Sequence, residues 1–187
     1  MKCAWPGNNQ LMELYHDEEW CIPTSNDNYI FEMLTLEGAQ AGLSWSIVLS
    51  KREAYQEAFH NFDINYCSKL TDEDLQNVKE HHNVIKHLSK LQSVRNNAQA
   101  VIEIQQEFDS FSNFLWSYVS HKPLINHWDA DEEIPAQSSL SQQLSKDLKK
   151  RGFKFVGPVT MYSFMQAIGM VDDHVKSCPY HSSNRRS

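Results

Sequence analysis

Residues 71–102, TDEDLQNVKEHHNVIKHLSKLQSVRNNAQAVI, decide the fold class. Thr71 followed by Asp74 is a capping-box signature, with Leu75 and Val78 as the apolar face of the helix it opens. His81, His82 and Asn83 interrupt that pattern. It resumes near Lys86 with Leu88, Leu91, Val94, Ala98, Val101 and Ile102 at helical spacing. The stretch predicts a helix, a short turn and a second helix, with Asn83 as the residue best able to take a left-handed turn conformation.

The same periodicity extends outward. Ser25 to Asn28 supply helix-start residues before Ile30, Phe31, Met33, Leu34 and Leu36, in a helix running toward Glu37. Gly38 and Gly42 predict a break between Glu37 and Trp45. Ser44 is placed to cap a further helix through Ile47, Val48, Leu49, Tyr55 and Phe59. Phe111, Phe114, Leu115 and Tyr118 mark another short helix, and Asp129 to Ser138 reads as a loop. Ser139 with Gln142 predicts a second capping box, for a helix through Leu144 and Leu148 that stops at Gly152. Pro158 suits a first helical turn, with Met161 to Met170 as the body. The expected class is all-α, with residues 1–187 as a single domain.

Composition narrows the functional classes. The chain has 187 residues, of which 41% are hydrophobic and 11% aromatic, with only six glycines and six prolines. That excludes a disordered or collagen-like chain and leaves enough apolar side chain for a core. No window resembles a membrane span or a signal peptide, so the expectation is a cytoplasmic monomer with no membrane partner. Cys3, Cys21, Cys67 and Cys178 are too few for a disulfide scaffold of this size. The net charge of −7 means that binding to nucleic acid would need local basic faces. Lys146, Lys149, Lys150, Arg151 and Lys154 offer one such face, and Lys86, Lys90 and Arg95 another; either cluster taken alone reads equally well as a solvated helix face.

Cys3, His16, His174 and Cys178 form a Cys2His2 set suited to a closed, tetrahedral structural zinc. On a helix, His174 and Cys178 would share one face, whereas Cys3 and His16 need a loop to meet. Cys21 is a rival ligand, and any of these residues taken alone reads equally well as a packed side chain. A site with four protein ligands leaves no open position for an activated water. Trp5, Tyr15, Trp20 and Trp45 crowd the first quarter of the chain together with Glu37. They read either as core plus a solvated carboxylate or as an aromatic binding pocket.

Joint motifs decide between these. C-x-W at Cys3–Trp5, Y-H-D-x-E-W at Tyr15–Trp20 and L-E-G-x-Q-A-G-L-S-W at Leu36–Trp45 resemble the DNA-3-methyladenine glycosylase I family. So do K-R-E-x-Y at Lys51–Tyr55, F-L-W-S at Phe114–Ser117, L-K-K-R-G-F-K-F-V-G at Leu148–Gly157, Y-S-F-M-Q-A-x-G at Tyr162–Gly169 and D-H-V-x-x-C at Asp173–Cys178. Agreement is weakest over Phe108–Ser138. The resemblance implies a helix-hairpin-helix DNA glycosylase fold whose N- and C-terminal segments (1–20 and 170–180) are joined by zinc on Cys3, His16, His174 and Cys178. It implies a base-excision-repair enzyme that hydrolyses the N-glycosidic bond of 3-methyladenine in alkylated double-stranded DNA, leaves an abasic site and does not cut the strand.

Glu37 then takes the recognition role, with a catalytic contribution toward the sugar cation, and Trp5, Tyr15, Trp20 and Trp45 enclose the base. Because the base must leave the duplex to be enclosed, Gln40, Gly42 and Leu43 at the helix break are candidate wedges into the vacated space; a Gly-permitted turn is the other reading. The family hairpin carries glycine where this chain has His81, His82 and Asn83, a departure that bears on its backbone grip of phosphate. A non-catalytic modified-base or nucleic-acid binding module is the alternative function, and a zinc-stabilised interaction domain a third.

Overall fold

A computed structural model describes residues 1–185 and is built from helices joined by short turns. Between Cys3 and His16, where only a loop is expected, the chain forms α1 (Gln10–Glu18). Asn9 caps it, its side chain accepting from Met12 N–H at 3.1 Å. Leu11 and Leu14 on this helix are exposed, which is why apolar spacing gives no sign of it. Helix α2 (Asp27–Gln40) starts at Asn26, inside the expected window, and buries every residue from Ile30 to Ala39.

α2 passes through Gly38, one of the two glycines expected to interrupt it. That glycine answers to packing: a Cβ there would stand 3.3 Å from the Cβ of Phe155. The break falls at Ala41–Ser44, where Gly42 has φ +80°. The single helix expected after Ser44 is two, α3 (Trp45–Ser50) and α4 (Arg52–Ala58), separated at Lys51. Ser44 holds the cap position without bonding the backbone, and its hydroxyl meets that of Ser46 instead.

After α5 (Ile64–Ser68), α6 (Asp72–His81) opens on the capping box read from the sequence. Thr71 accepts from Asp74 N–H at 3.1 Å, and the Asp74 carboxylate accepts from Thr71 N–H at 2.8 Å. Residues 82–87 turn the chain into α7 (Leu88–Phe108), which starts later than Lys86 and runs past Ile102. Asn83 does not adopt the expected left-handed conformation. Its carbonyl and side-chain oxygens instead accept from Lys51 Nζ, at 3.2 and 2.7 Å.

Then follow α8 (Phe111–Ser117), α9 (Ser139–Lys150) and α10 (Pro158–Ala167). The second capping box sits one residue earlier than expected, on Ser138 and Ser141, with Gln142 outside it. Gly152 has the left-handed φ of +86° expected after a helix, and Pro158 opens α10. That helix ends before Met170 because Gly169 (φ +75°) lies against the backbone of Ile22 and Pro23, where a Cβ would meet atoms at 2.3 Å.

Two short strands, β1 (Leu124–Ile125) and β2 (Val171–Asp172), pair in parallel with Leu124 opposite Val171. They leave the all-α class intact. α2 is the central element, packed by α3, α7, α8 and α10, while α5 and α6 lie on α7 and α1 lies on α3. The side of α2 toward α1 and α3 forms the wall of the site described next. No helix among the described residues is long and apolar enough to cross a membrane.

Candidate active site and metal centre

A cavity of about 320 Å³ opens where α1, α2 and α3 converge with the N-terminal segment. Trp5, Tyr15, Trp20, Glu37 and Trp45 all line it, as does Gln40. The rings are in mutual contact: Trp5 and Trp20 have centroids 5.0 Å apart, and Tyr15 and Trp45 5.3 Å. The unexpected α1 is what makes this possible, since it carries Tyr15 into the cavity and His16 toward the chain termini.

Glu37 is 5% exposed and has no hydrogen-bond partner among the described residues. Burial pushes its carboxyl up to about 8, because water is removed and nothing polar replaces it. Burial also pushes the Tyr15 hydroxyl up, and the nearby charge of Glu37 adds to that. Seven buried side-chain atoms among the described residues lack a partner. Five belong to residues lining this cavity: Trp5 Nε1, Tyr15 Oη, Glu37 Oε2, Trp45 Nε1 and Asp131 Oδ1. Buried polar groups in folded proteins are ordinarily paired, at a cost of roughly 1–3 kcal/mol for each that is not. Five around one aromatic cavity mark a place that expects a polar, planar guest.

Met12, Asp131, Ile134, Ser163 and Gln166 also line the cavity and were not anticipated. Gln166 and Ser163 lie within the Tyr162–Gly169 motif, so a sequence signal for them existed. Asp131 and Ile134 come from the stretch where motif agreement is weakest, inside the expected loop, which contains a single 3-10 turn at Asp131–Glu133.

At the mouth, Ala41, Gly42 and Leu43 are exposed, with Leu43 38% so, and Gly42 has no neighbour within reach of a Cβ. Lys90 on α7 donates to the carbonyls of Ala39 (2.9 Å) and Ala41 (2.8 Å). It thereby satisfies the end of α2 and ties the hairpin 82–87 to the turn beside the cavity.

Cys3, His16 and Cys178 bring their ligand atoms within 4.8 Å of one another, all buried. The His174 ring lies 4.8 Å from that of His16, and its Nε2 is one of the two unpaired buried atoms outside the cavity. His16 Nδ1 pairs with Asp17 at 2.7 Å and His174 Nδ1 with Asp172 at 2.8 Å. Carboxylates on both Nδ1 atoms leave both Nε2 atoms for an ion, the arrangement usual around metal-bound imidazoles. The donor set therefore fits a metal. His174 and Cys178 reach it from a turn rather than from a shared helix face, with Cys178 N–H donating to Val175 O at 2.8 Å. The rival Cys21 lies apart from the Cys3, His16 and Cys178 cluster and groups with Asp172 and His174.

The two candidate basic faces are partly spent within the protein. Arg95 bonds Leu70 O and Asp72, Lys90 bonds α2, and Lys86 Nζ donates to His82 O. Arg151 forms a fork with Glu107 and stacks on Phe108 and Phe114, while Lys146, Lys149 and Lys154 make no side-chain ion pair among the described residues. His81 is exposed; His82 is half-buried, 3.9 Å from Glu57.

The family model described as methyladenine glycosylase matches residues 5–181. The chain is 43% identical over 182 residues to the DNA-3-methyladenine glycosylase of Haemophilus influenzae, covering 97% of this chain and 98% of that one. It is 43% identical over 184 residues to DNA-3-methyladenine glycosylase 1 of Escherichia coli, covering 98% of each. A solved variant of 3-methyladenine DNA glycosylase I in complex with 3-methyladenine superposes with a TM-score of 0.93 at 39% identity, over 96% of both chains.

Proposed function

Because this chain belongs to the methyladenine glycosylase family, we propose that its aromatic cavity receives 3-methyladenine turned out of duplex DNA and that Glu37 recognises it. The chain is an enzyme that acts on DNA, hydrolysing the N-glycosidic bond of 3-methyladenine and leaving an abasic site. The observation that carries the cavity assignment is the clustering of unpartnered polar atoms on its aromatic wall.

The chemistry follows from the charge of the damaged base. Methylation at N3 makes the adenine in DNA cationic, and electron-rich ring faces attract a cation. Glu37, kept from ionising by its burial, gains in the cation both a counter-charge and a donor from the exocyclic amine. A neutral adenine offers it only the donor. The same positive charge weakens the glycosidic bond, because departure of the base neutralises it and leaves a cationic sugar. Little general acid is needed. Attraction to the base fades as its charge moves to the sugar, so Glu37 contributes chiefly to recognition, and any acceleration comes from its reach toward the sugar cation. Among the described residues no lysine lines the cavity, which supports hydrolysis without strand cleavage.

An intrahelical base cannot be enclosed on both faces, so the substrate must be extruded. Leu43, exposed beside Gly42 and next to Gln40 at the mouth, is the apolar group placed to fill the gap. Lys90, by holding Ala39 and Ala41, keeps this turn in register with the hairpin that approaches the phosphates.

Zinc is the ion that suits two thiolates and two imidazoles. Cys3, His16, His174 and Cys178 would hold it, and it would clamp the chain ends behind the cavity without taking part in the reaction. Elemental analysis returning no zinc from protein purified without chelator overturns this part.

The test of the function is release of free 3-methyladenine from methylated duplex DNA by wild type, Glu37→Gln and Trp45→Ala, each checked for folding. Wild type should release the base, and each variant should lose about tenfold or more in kcat/KM, one charge-assisted or stacking contact being worth roughly that. Undiminished release by both variants would remove Glu37 and Trp45 from the site.

A further inference from the structure

The cavity holds a second carboxylate, supplied by Asp131 from the 3-10 turn 131–133. Its two oxygens are in different states. Oδ2 accepts from Ala4 N–H at 2.6 Å and from Trp5 N–H at 2.8 Å, so the side chain is fixed in place and in turn fixes the backbone of the Trp5 wall. Oδ1 is shut off from solvent and has no hydrogen-bond partner among the described residues.

Anchoring Trp5 needs only one acceptor oxygen, which a neutral amide would supply equally well. A carboxylate with its second oxygen dry and unpaired is a costly way to build a wall. The cost is offset when the cavity fills with a guest that carries positive charge. Cationic N3-alkylated adenine does: its charge is spread over the ring and acts on Asp131 through space.

We propose that Asp131 is a second substrate-recognising residue, one that sharpens the preference of this cavity for cationic N-alkylpurines over neutral purines of the same shape. This rests on the reading of the cavity as the base site. It concerns capture of the base, since the attraction fades as charge leaves for the sugar.

The experiment uses Asp131→Asn, whose amide oxygen can still accept from Ala4 and Trp5, with Asp131→Ser as a second variant should the first fold poorly. Release of 3-methyladenine from methylated duplex is followed with enzyme in excess. Binding is measured in parallel to a duplex carrying 3-deaza-3-methyladenine, a neutral isostere. The expected result is an approximately tenfold rise in the enzyme concentration giving half the limiting rate on the cationic base, the size of one charge-assisted contact. The limiting rate and the affinity for the neutral isostere should each stay within about threefold.

Equal weakening toward both duplexes would overturn the proposal and make Asp131 only an anchor for Trp5. So would unchanged half-saturation in a variant set where Glu37→Gln is impaired. Unchanged release in Glu37→Gln as well would instead sink the cavity assignment itself, so the two failures are separable.

Discussion

Asp173 and Glu37 are both buried carboxylates, and the chain surrounds them in opposite ways. Asp173, with no exposure, accepts from Asn126 Nδ2, Trp128 Nε1, Tyr162 Oη and Gln166 Nε2 at 2.6–2.7 Å. Those donors come from the 126–128 segment and from α10, so one side chain stitches the short strands to the helical core. Glu37, on the central helix, has no hydrogen-bond partner among the described residues, and burial pushes its carboxyl up to about 8. The first environment is complete without a guest; the second is complete only with one. Gln166 touches both regions, since it lines the cavity while bonding Asp173.

The comparison can be broken most forcefully at Asp173. Asp173→Ala strands four buried neutral donors, and leaving a buried donor unpaired costs roughly 1–3 kcal/mol. Urea unfolding at neutral pH should show it as a lowered midpoint. A loss under about 1 kcal/mol would mean that the four bonds contribute little net stability.

Glu37 should behave in the reverse sense. Its folded-state carboxyl is raised from 4.5 to about 8, so its contribution is fully favourable below the unfolded value and is lost as pH rises through the folded one. Glu37→Gln removes that loss. The variant should match wild type at pH 4.5 and exceed it in stability at pH 9 by on the order of 2–4 kcal/mol, read from unfolding curves at both pH values. A difference independent of pH would mean that Glu37 is not desolvated as described. A substitution that stabilises the fold while impairing base release is what a site held ready for its ligand predicts.

The parts of this molecule legible in the sequence share a local cause. The Thr71–Asp74 box, the α7 apolar stripe and the Pro158 start each depend on neighbours a few positions away, and each stands close to where expected. The aromatic residues and Glu37 were legible through motifs, and they do line one cavity. What stayed hidden depends on distant packing. Gly38 looks like a helix breaker until Phe155 presses on it, and α1 has exposed leucines because its useful side, with Tyr15 and His16, is aromatic and polar. Asp131 was invisible for the same reason: its bonds reach back 126 and 127 positions to Trp5 and Ala4. Spacing alone also cannot reveal that Lys90 and Arg95, within one of the two basic clusters, are bonded inward.

The central claim is that Glu37 is held uncharged by burial in the cavity wall and ionises to meet a cation. Its most direct test is the pH profile of kcat/KM for 3-methyladenine release between pH 6 and 9.5, which reports groups of the free enzyme. The methylated base in DNA carries a permanent charge, so it adds no titration of its own. Wild type should rise with an apparent pKa near 8, and Glu37→Gln should be low and flat through that window. A wild-type profile as flat as that of the variant, with the same kcat/KM, would contradict the account and return Glu37 to the core.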